Sequence, residues 1–248
     1  MASILLAGEQ VTAVGFELKG FDYFGSHVYK EDGQALVQAL TDGGHAVEWM
    51  RTCHVPEHFP EELAVLRQYD VVILSDVGSN SLLFHPEMLN RSIPHPNRLA
   101  LLREYVRNGG ALVMVGGWMS FAGVDGRARY ARTPVEEALP VTCQPYDDRH
   151  EAPEGLTPEV LDATHPVLAG MPADWPFFLG YNTVTAKAEA SVLVRIGDNP
   201  LLAVWEYGRG RAAVFTSDCA PHWGPPGFLQ WAGYPLLWNN LVRWLARE

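Results

Sequence analysis

Residues 112–120 read LVMVGGWMS, an apolar run that stops at two glycines and a tryptophan. The apolar part has the length and residue types of a buried strand, and a glycine pair permits a sharp turn directly after it. This stretch therefore predicts a strand near Ala111–Val115, then a tight turn, then a helix.

Similar units surround it in the first half of the chain. Short apolar runs predict strands near Ile4–Gly8, Ala46–Met50 and Val71–Ser75. Helical spacing of apolar residues predicts helices over Glu31–Asp42, Pro60–Gln68 and Asn97–Arg107. Strands that alternate with helices form a parallel sheet covered on both faces. The expected fold class is α/β, with a doubly wound, mostly parallel sheet.

The second half has a different rhythm. Residues from about 122 to 180 are rich in proline and charge, and we interpret them as an irregular insertion in one domain that spans residues 1–248. Strands are predicted at Ser191–Gly197, Leu201–Glu206 and Arg211–Ser217, the last two joined as a β-hairpin through Gly208 and Gly210. A closing helix is predicted from Trp231 to Ala246.

Composition and charge exclude several classes of function. The 248 residues include 18 Lys and Arg against 29 Asp and Glu, a formal charge of −11, which disfavours nucleic acid and anionic membrane surfaces as partners. No apolar run approaches the roughly 18 residues of a membrane span, and the N-terminus has no basic leader. Three cysteines form no disulfide framework. We therefore expect a cytoplasmic protein.

Polar residues follow the predicted strands at their carboxyl ends, where doubly wound sheets bind their ligands. Glu9 follows the first strand, and His222 and Asp218 follow the last. The expected ligand-binding residues after the two strands between them are Asp76, Ser79, Asn80, Gly117 and Trp118. The sequence thus predicts a crevice for a small-molecule ligand.

The stretch around Gly117 and Trp118 resembles the nucleophile elbow of the class I glutamine amidotransferase-like superfamily, whose pattern is Gly-x-Cys-x-Gly. Together with residues 75–80, SDVGSN, it is similar to the glutamine amidotransferase-like proteins. The tail, with Asn240 and Trp244, and residues 164–172, THPVLAGMP, resemble ThuA-like proteins. The resemblance implies a flavodoxin-like, class I glutamine amidotransferase-like fold.

In this resemblance the nucleophilic cysteine falls on Trp118. Indole has no nucleophilic lone pair and no proton that ionises near neutral pH, so we expect no glutaminase activity. Three functions stay open. The first is binding of a small polar ligand, carbohydrate-related compounds included; the second is a hydrolase or isomerase that uses His222 with Glu9 or Asp218; the third is a structural homo-oligomeric module.

Several motifs have competing interpretations. Ser120 is a candidate nucleophile or the N-cap of the helix predicted after the turn. His54, Glu57 and His58 spell the H-x-x-E-H string of zinc peptidases, but Pro56 places them in a loop or first helical turn. Cys219 and His222 have half of a zinc-site spacing. No complete ligand set is present, so no metal and no cofactor are predicted.

Two aromatic segments predict contact with a partner. Phe16–Tyr29 is expected to be a long loop that forms a lid, a sugar-stacking wall or a packed surface. The tryptophan- and proline-rich stretch Trp223–Tyr234 also holds more large apolar side chains than one surface normally exposes. On these grounds we expect a homo-oligomer, most simply a dimer.

Overall fold

The computed structural model describes all 248 residues of the chain. The strands are β1 Ser3–Gly8, β2 Gln10–Lys19, β3 Asp22–Glu31, β4 Ala46–Met50, β5 Val71–Ser75, β6 Ala111–Val115, β7 Val141–Cys143, β8 Arg149–Leu156, β9 Glu159–Val160, β10 Phe178–Asn182, β11 Val184–Ala186, β12 Ser191–Ile196, β13 Asn199–Tyr207 and β14 Gly210–Phe215. The α-helices are α1 Gln34–Asp42, α2 Val55–His58, α3 Leu63–Leu66, α4 Ser79–Leu83, α5 Pro86–Arg91, α6 Arg98–Arg107, α7 Pro134–Ala138, α8 Pro226–Leu229 and α9 Gly233–Ala246.

Eight strands form the central sheet, in the order β4-β1-β5-β6-β14-β13-β12-β9. The first five run parallel to one another, whereas β13, β12 and β9 join by antiparallel pairing. Helices cover both faces, as a parallel sheet requires. The predicted fold class is confirmed, including the β13–β14 hairpin and the closing helix α9.

The parallel strands divide their side chains between two cores because successive residues of a strand point to opposite faces. In β1, Ile4 and Leu6 pack into one core with α1 and α9, and Leu5 and Ala7 pack into the other with α6. All five residues of β5 and of β6 are buried. The continuous apolar runs of the sequence are therefore explained by burial on both sides.

The predicted boundaries of these strands and helices agree with the structure to within three residues, but one short helix loses more than half of its predicted length. The helix expected over Pro60–Gln68 shrinks to the single turn of α3, because Glu62 before it is extended, at φ −126° and ψ 139°. Helix α6 begins as predicted, since the Asn97 side chain accepts hydrogen bonds from the amides of Leu99 and Ala100.

The irregular region of residues 122–180 contains short strands that do not join the central sheet with the exception of β9. Strand β7 pairs with β11 and β8 pairs with β10, each as a two-stranded antiparallel sheet. This region folds back over the carboxyl end of the central sheet, where the amide of Asn182 at the end of β10 donates to the Thr216 carbonyl after β14.

The long loop predicted over Phe16–Tyr29 is wrong. These residues form an antiparallel hairpin, β2 and β3, in complete register from Gln10 opposite Glu31 to Lys19 opposite Asp22. Gly20 and Phe21 make its two-residue turn. Residues 11–30 are all exposed, on both faces of the hairpin. We call this hairpin, residues 10–31, the arm.

The stretch Trp223–Tyr234 is mostly core, contrary to the expectation that it exposes large apolar groups. Trp223, Phe228 and Tyr234 are buried, and Phe228 stacks on Phe215 of β14 with 5.8 Å between ring centroids. This segment therefore gives no support to an oligomer. None of the helices is long and apolar enough to cross a membrane.

Candidate functional site

A crevice of about 320 Å³ lies at the carboxyl edge of the parallel strands. Its size falls at the lower end of the range of small-ligand pockets, about 300–1,000 Å³. The lining residues are Glu9, Val11, Lys30, Asp32, Asp76, Trp118, Asp218, Pro221 and His222. Four of the nine carry a carboxyl group, and Lys30 is the one lysine, so the lining is acidic.

The backbone is strained at three of these positions. Glu9, Asp76 and His222 have φ values of 56°, 47° and 136°, in the region that favours glycine. The chain turns sharply after β1 because Gly8, at φ 127°, lies so close to β5 that a side chain there would overlap the Ser75 carbonyl. Strain of this kind concentrates at functional sites, where the fold holds side chains in fixed positions.

Glu9 lies on the floor of the crevice and is only 4% exposed. Its Oε1 accepts a hydrogen bond from Ser75 Oγ and lies 3.6 Å from Cys219 Sγ. Burial, with the nearby charge of Asp76, raises the pKa of Glu9 to about 7. At neutral pH this carboxyl group can therefore donate a proton as well as accept one.

Asp76 and Asp218 complete the acidic floor. Asp76 Oδ1 accepts from the Met119 amide at 2.6 Å, and Asp218 Oδ1 accepts from the Ala220 amide at 2.8 Å. Burial raises the pKa of both aspartates, and the charge of Glu9 adds to the rise at Asp218. Three neighbouring carboxyl groups removed from water cannot all ionise, so they share protons.

Trp118 is the aromatic wall of the crevice and is 44% exposed. Its indole Nε1 donates to Glu151 Oε1 at 3.2 Å, and the Arg149 guanidinium lies 5.3 Å from the ring centroid. The Trp223 indole donates to the other oxygen of Glu151. These contacts fix the orientation of the Trp118 ring.

The two backbone amides that flank Trp118 in the chain are already occupied. The Met119 amide donates to Asp76, and the Gly117 amide donates to Asn182 Oδ1 at 3.0 Å. Asn182 is itself held by the Asp148 carboxylate, which also accepts from the amides of Ala122 and Gly123 at 2.8 Å. Neither flanking amide is therefore free to stabilise an oxyanion.

His222 packs its ring against Trp118, edge to face at 4.8 Å, and against Trp223 at 5.2 Å. No carboxylate accepts a hydrogen bond from it, and desolvation within the crevice lowers its pKa. At neutral pH it is an uncharged imidazole at the mouth of the crevice.

The chain matches a family model described as "Putative glutamine amidotransferase" over residues 3–247. It belongs to the glutamine amidotransferase-like family. Two solved structures from Salmonella typhimurium are similar throughout. Cytoplasmic protein STM3548 is 40% identical, with a TM-score of 0.94 over 98% of each chain. Cytoplasmic protein STM1381 is 37% identical, with the same TM-score over 98% of this chain and 99% of its own.

A ThuA-like protein from Bacteroides uniformis shares the fold, with a TM-score of 0.53 at 14% identity over 98% of this chain and 91% of its own. The resemblance to ThuA-like proteins in the sequence therefore agrees with the architecture. No curated protein matches the chain.

Four of the predicted site residues of this amidotransferase-like protein do not line the crevice. Ser120 is buried, and its Oγ accepts from the Asp76 amide at 3.2 Å. It caps no helix, because residues 118–123 turn irregularly instead of forming the helix expected after the elbow. Ser79 Oγ donates to the Arg129 carbonyl, Asn80 is exposed outside the crevice, and Gly117 contributes backbone only.

Sequence reasoning missed four lining residues: Pro221 after β14, and Val11, Lys30 and Asp32 around the arm. The arm leaves the body after Glu9 and returns at Asp32, whose amide donates to the Glu9 carbonyl at 3.0 Å. Recognising the hairpin would have revealed Val11, Lys30 and Asp32, since a complete hairpin returns the chain to its starting point. Asp148 and Asn182 had no comparable signal, because their contacts to the elbow join distant segments.

Two side-chain groups have potential metal-ligand atoms within 4.8 Å of one another. Glu9, Asp218 and Cys219 form the first, but burial keeps the pKa of the Cys219 thiol well above its usual range, and the thiolate is the ligand form. Glu61, His85 and His95 form the second. The two imidazoles stack 3.8 Å apart and 14° from parallel, so their in-plane lone pairs do not converge on one ion.

The two zinc-like motifs of the sequence differ in location. His54 and His58 are exposed, with ring centroids 5.8 Å apart, and lie outside the crevice. Cys219 lies beneath the crevice, whereas His222 lies at its mouth.

Proposed function

We propose that this protein binds a small, uncharged, hydroxyl-rich molecule in the crevice and does not hydrolyse glutamine. The observation that carries the proposal is the combined state of the elbow: an indole stands in the nucleophile's position, and the amide of the next residue donates to Asp76.

Acyl transfer needs a nucleophile and amide donors for the developing oxyanion. Trp118 supplies no nucleophile, and the Met119 amide, which would serve as the donor after the nucleophile, is taken. Ser120 does not replace the thiol, because it is 2% exposed and accepts from the Asp76 amide. His85 and Glu87, which stand two residues apart, supply no acid–base pair at the crevice, since His85 caps α5 and neither residue lines the crevice.

The lining favours hydroxyl groups over anions. Four carboxyl groups face Lys30, so a negatively charged ligand meets net repulsion. Partly protonated carboxyl groups both donate and accept hydrogen bonds, which suits the hydroxyl groups of a polyol or sugar. The exposed indole of Trp118 offers an apolar surface beside them.

Acid–base catalysis is a second candidate, favoured by the pKa of Glu9 near 7, where a carboxyl group works in both directions. His222 weakens it, because no carboxylate orients the imidazole. If the protein is an acid–base catalyst, a sugar incubated with it in D₂O would exchange a carbon-bound proton for deuterium, and Glu9→Gln would abolish the exchange. A purely structural role is disfavoured by the open crevice, which aromatic side chains do not fill.

A thermal-shift panel of neutral sugars, sugar alcohols, sugar acids and glutamine tests the binding proposal. We expect at least one neutral hydroxyl-rich compound to stabilise the protein by about 2.7 kcal/mol at 100 times its Kd. For a chain of this size that corresponds to a rise in Tm of roughly 5–10 °C. Sugar acids and glutamine should give no shift.

Two aromatic variants make the comparison specific. Trp118 and Phe177 have similar exposure, 44% and 48%, but only Trp118 lines the crevice. Trp118→Ala should remove the shift, and Phe177→Ala should retain it. A panel without a neutral ligand, or a shift that survives Trp118→Ala, would refute the proposal.

The cytoplasm is the proposed location. Both Salmonella relatives are titled cytoplasmic proteins, and the three cysteines of this chain are free thiols.

A further inference from the structure

The arm leaves the body as an isolated two-stranded sheet with both faces in solvent. Ten-residue strands extend about 34 Å at the usual rise per residue. A lone hairpin of this kind is marginally stable in water. Independent stability of a sheet requires three or more strands, so the arm calls for a further strand at its edge.

The arm carries an unusual amount of exposed apolar surface. Its large exposed apolar side chains are Val11, Val14, Phe16, Leu18, Phe21, Tyr23, Phe24, Val28 and Tyr29. Each of the five aromatic side chains has a surface area of about 150–250 Å². At their exposed fractions, on the order of 700 Å² of aromatic surface is in contact with water. Each partner in a standard protein interface contributes about 800 Å². The apolar surface of the arm is therefore comparable in size to one side of such an interface, and four of its side chains, Val11, Val14, Phe16 and Leu18, lie on β2, where a strand added at the β2 edge would contact them.

The free edge of β2 shows how a second copy fits. The Gln10 amide points away from β3, because it donates to Thr52 Oγ1 at 3.2 Å. By the alternation of an antiparallel pair, the amides of Thr12, Val14 and Phe16 point the same way and are free to pair with another strand.

We propose that the arm is a dimerisation device in which β2 pairs antiparallel with β2 of a second copy around a two-fold axis at Gly15. In an antiparallel ladder, a residue whose backbone N–H and C=O groups point outward lies opposite another such residue. In β2 these are the even-numbered residues, so the two residue numbers of each pair sum to an even value. The register centred on Gly15 also leaves Gln10 bound to Thr52.

This register suits both charge and shape. It sets Val14 opposite Phe16 of the partner subunit and Thr12 opposite Leu18 of the partner subunit. Glu17 and Lys19 meet Ala13 and Val11 of the partner subunit, so no like charges are opposed. Pairing through the β3 edge around His27 would set Asp22 opposite Asp32 of the partner subunit, a like-charge pair that the β2 register avoids.

Parallel pairing is excluded by size, because it would hold both bodies side by side at the strand spacing of about 4.8 Å. In the antiparallel dimer the tip of each arm reaches the root of the other. Val11 and Lys30 at the root line the crevice. Lys19 of the partner subunit pairs opposite Val11 on that same face, which brings a positive charge to the acidic mouth, with the partner's Phe21 beside it.

Sedimentation equilibrium of the full chain at micromolar concentration tests the dimer. Wild type should have the mass of two chains. Val14→Pro removes one outward amide of β2 without touching the β2–β3 ladder and should give a monomer. His27→Pro is the matched control, since His27 faces Val14 across the arm and its amide lies on the outer edge of β3. It should stay dimeric.

A monomeric wild type, a dimeric Val14→Pro variant or a monomeric His27→Pro variant would each overturn the proposal. Disulfide trapping provides a second measurement in a Cys53→Ser background, because Cys53 is the exposed native thiol. Gly15→Cys places two thiols at the two-fold axis, where Cα atoms of an unbonded pair lie about 4.5 Å apart, within disulfide range. Ser26→Cys, opposite Gly15 on β3, should not cross-link, and equal cross-linking by both variants would contradict the register.

Discussion

Glu9 links the backbone of the crevice to its electrostatics. It is held at a positive φ directly after β1, with its carboxyl group buried against Ser75 and Cys219. The positive φ and the buried carboxyl group are both unfavourable, the first through backbone strain and the second through desolvation. The packing and hydrogen bonds of the surrounding fold must offset these two costs. Buried acidic groups with raised pKa values cluster at functional sites, which supports the proposed ligand site at Glu9.

The stability of the protein should therefore depend on the protonation of Glu9. Its pKa is about 7 in the folded chain against 4.5 as the ordinary value, so unfolding releases a proton between about pH 4.5 and pH 7. The folded state loses stability as pH rises through this window, by up to about 3 kcal/mol at 1.36 kcal/mol per pH unit.

Glu9→Gln cannot ionise, so its free energy of unfolding relative to wild type should increase by about 3 kcal/mol from pH 5 to pH 8. Urea unfolding at several pH values measures it. Glu154→Gln, at an exposed site, is the control and should show no such trend. A constant difference between Glu9→Gln and wild type would contradict the raised pKa.

Among single residues, the sequence correctly identified the crevice-lining residues that come soon after the carboxyl end of a parallel strand. Glu9, Asp76, Trp118, Asp218 and His222 all line the crevice, since each comes soon after a parallel strand. Ser79 and Ser120 were misplaced because side-chain direction within an irregular turn depends on contacts with distant segments, here Arg129 and the Asp76 amide.

The elbow loop is the element on which the crevice depends, and Asp148 fixes it. Its buried carboxylate accepts from the amides of Ala122 and Gly123 and from Asn182. Neutral alanine would leave these donors unpaired in the interior, where an unmet hydrogen bond costs about 1–3 kcal/mol.

Asp148→Ala should lower the free energy of unfolding by about 3 kcal/mol or more, measured by urea denaturation. The adjacent Asp147→Ala is the matched control, because Asp147 pairs with Arg149 near the surface and such pairs contribute at most about 1 kcal/mol. Equal losses in the two variants would show that the Asp148 contacts do not stabilise the loop.

Elements differed in how well local sequence predicted them. The strands β4, β5 and β6 have the predicted bounds, because a buried parallel strand is a compact apolar run. The arm was misinterpreted as a loop since its aromatic residues are interrupted by Gly15 and Gly25 and bury nothing within the chain. Its pairing is local, but the proposed reason for its apolar surface, contact with a second copy of the chain, lies outside the monomer.

At the scale of the whole molecule, the crevice joins residues from 9 to 222 at one edge of the sheet. Strand order explains this: β1, β5, β6 and β14 are neighbours in the sheet, so their carboxyl ends meet. The family fold supplies the position of the site, and the residues at the elbow decide its chemistry.

Glutamine-dependent ammonia release, by wild type and by Trp118→Cys beside a working glutamine amidotransferase, tests most directly whether that chemistry has been lost. Wild type should release no ammonia above a protein-free blank, because it has no nucleophile. Trp118→Cys should release none either, since the Met119 amide, which would donate to the oxyanion, still donates to Asp76. Ammonia release by wild type, or its appearance in Trp118→Cys, would contradict the proposed loss of acyl-transfer chemistry.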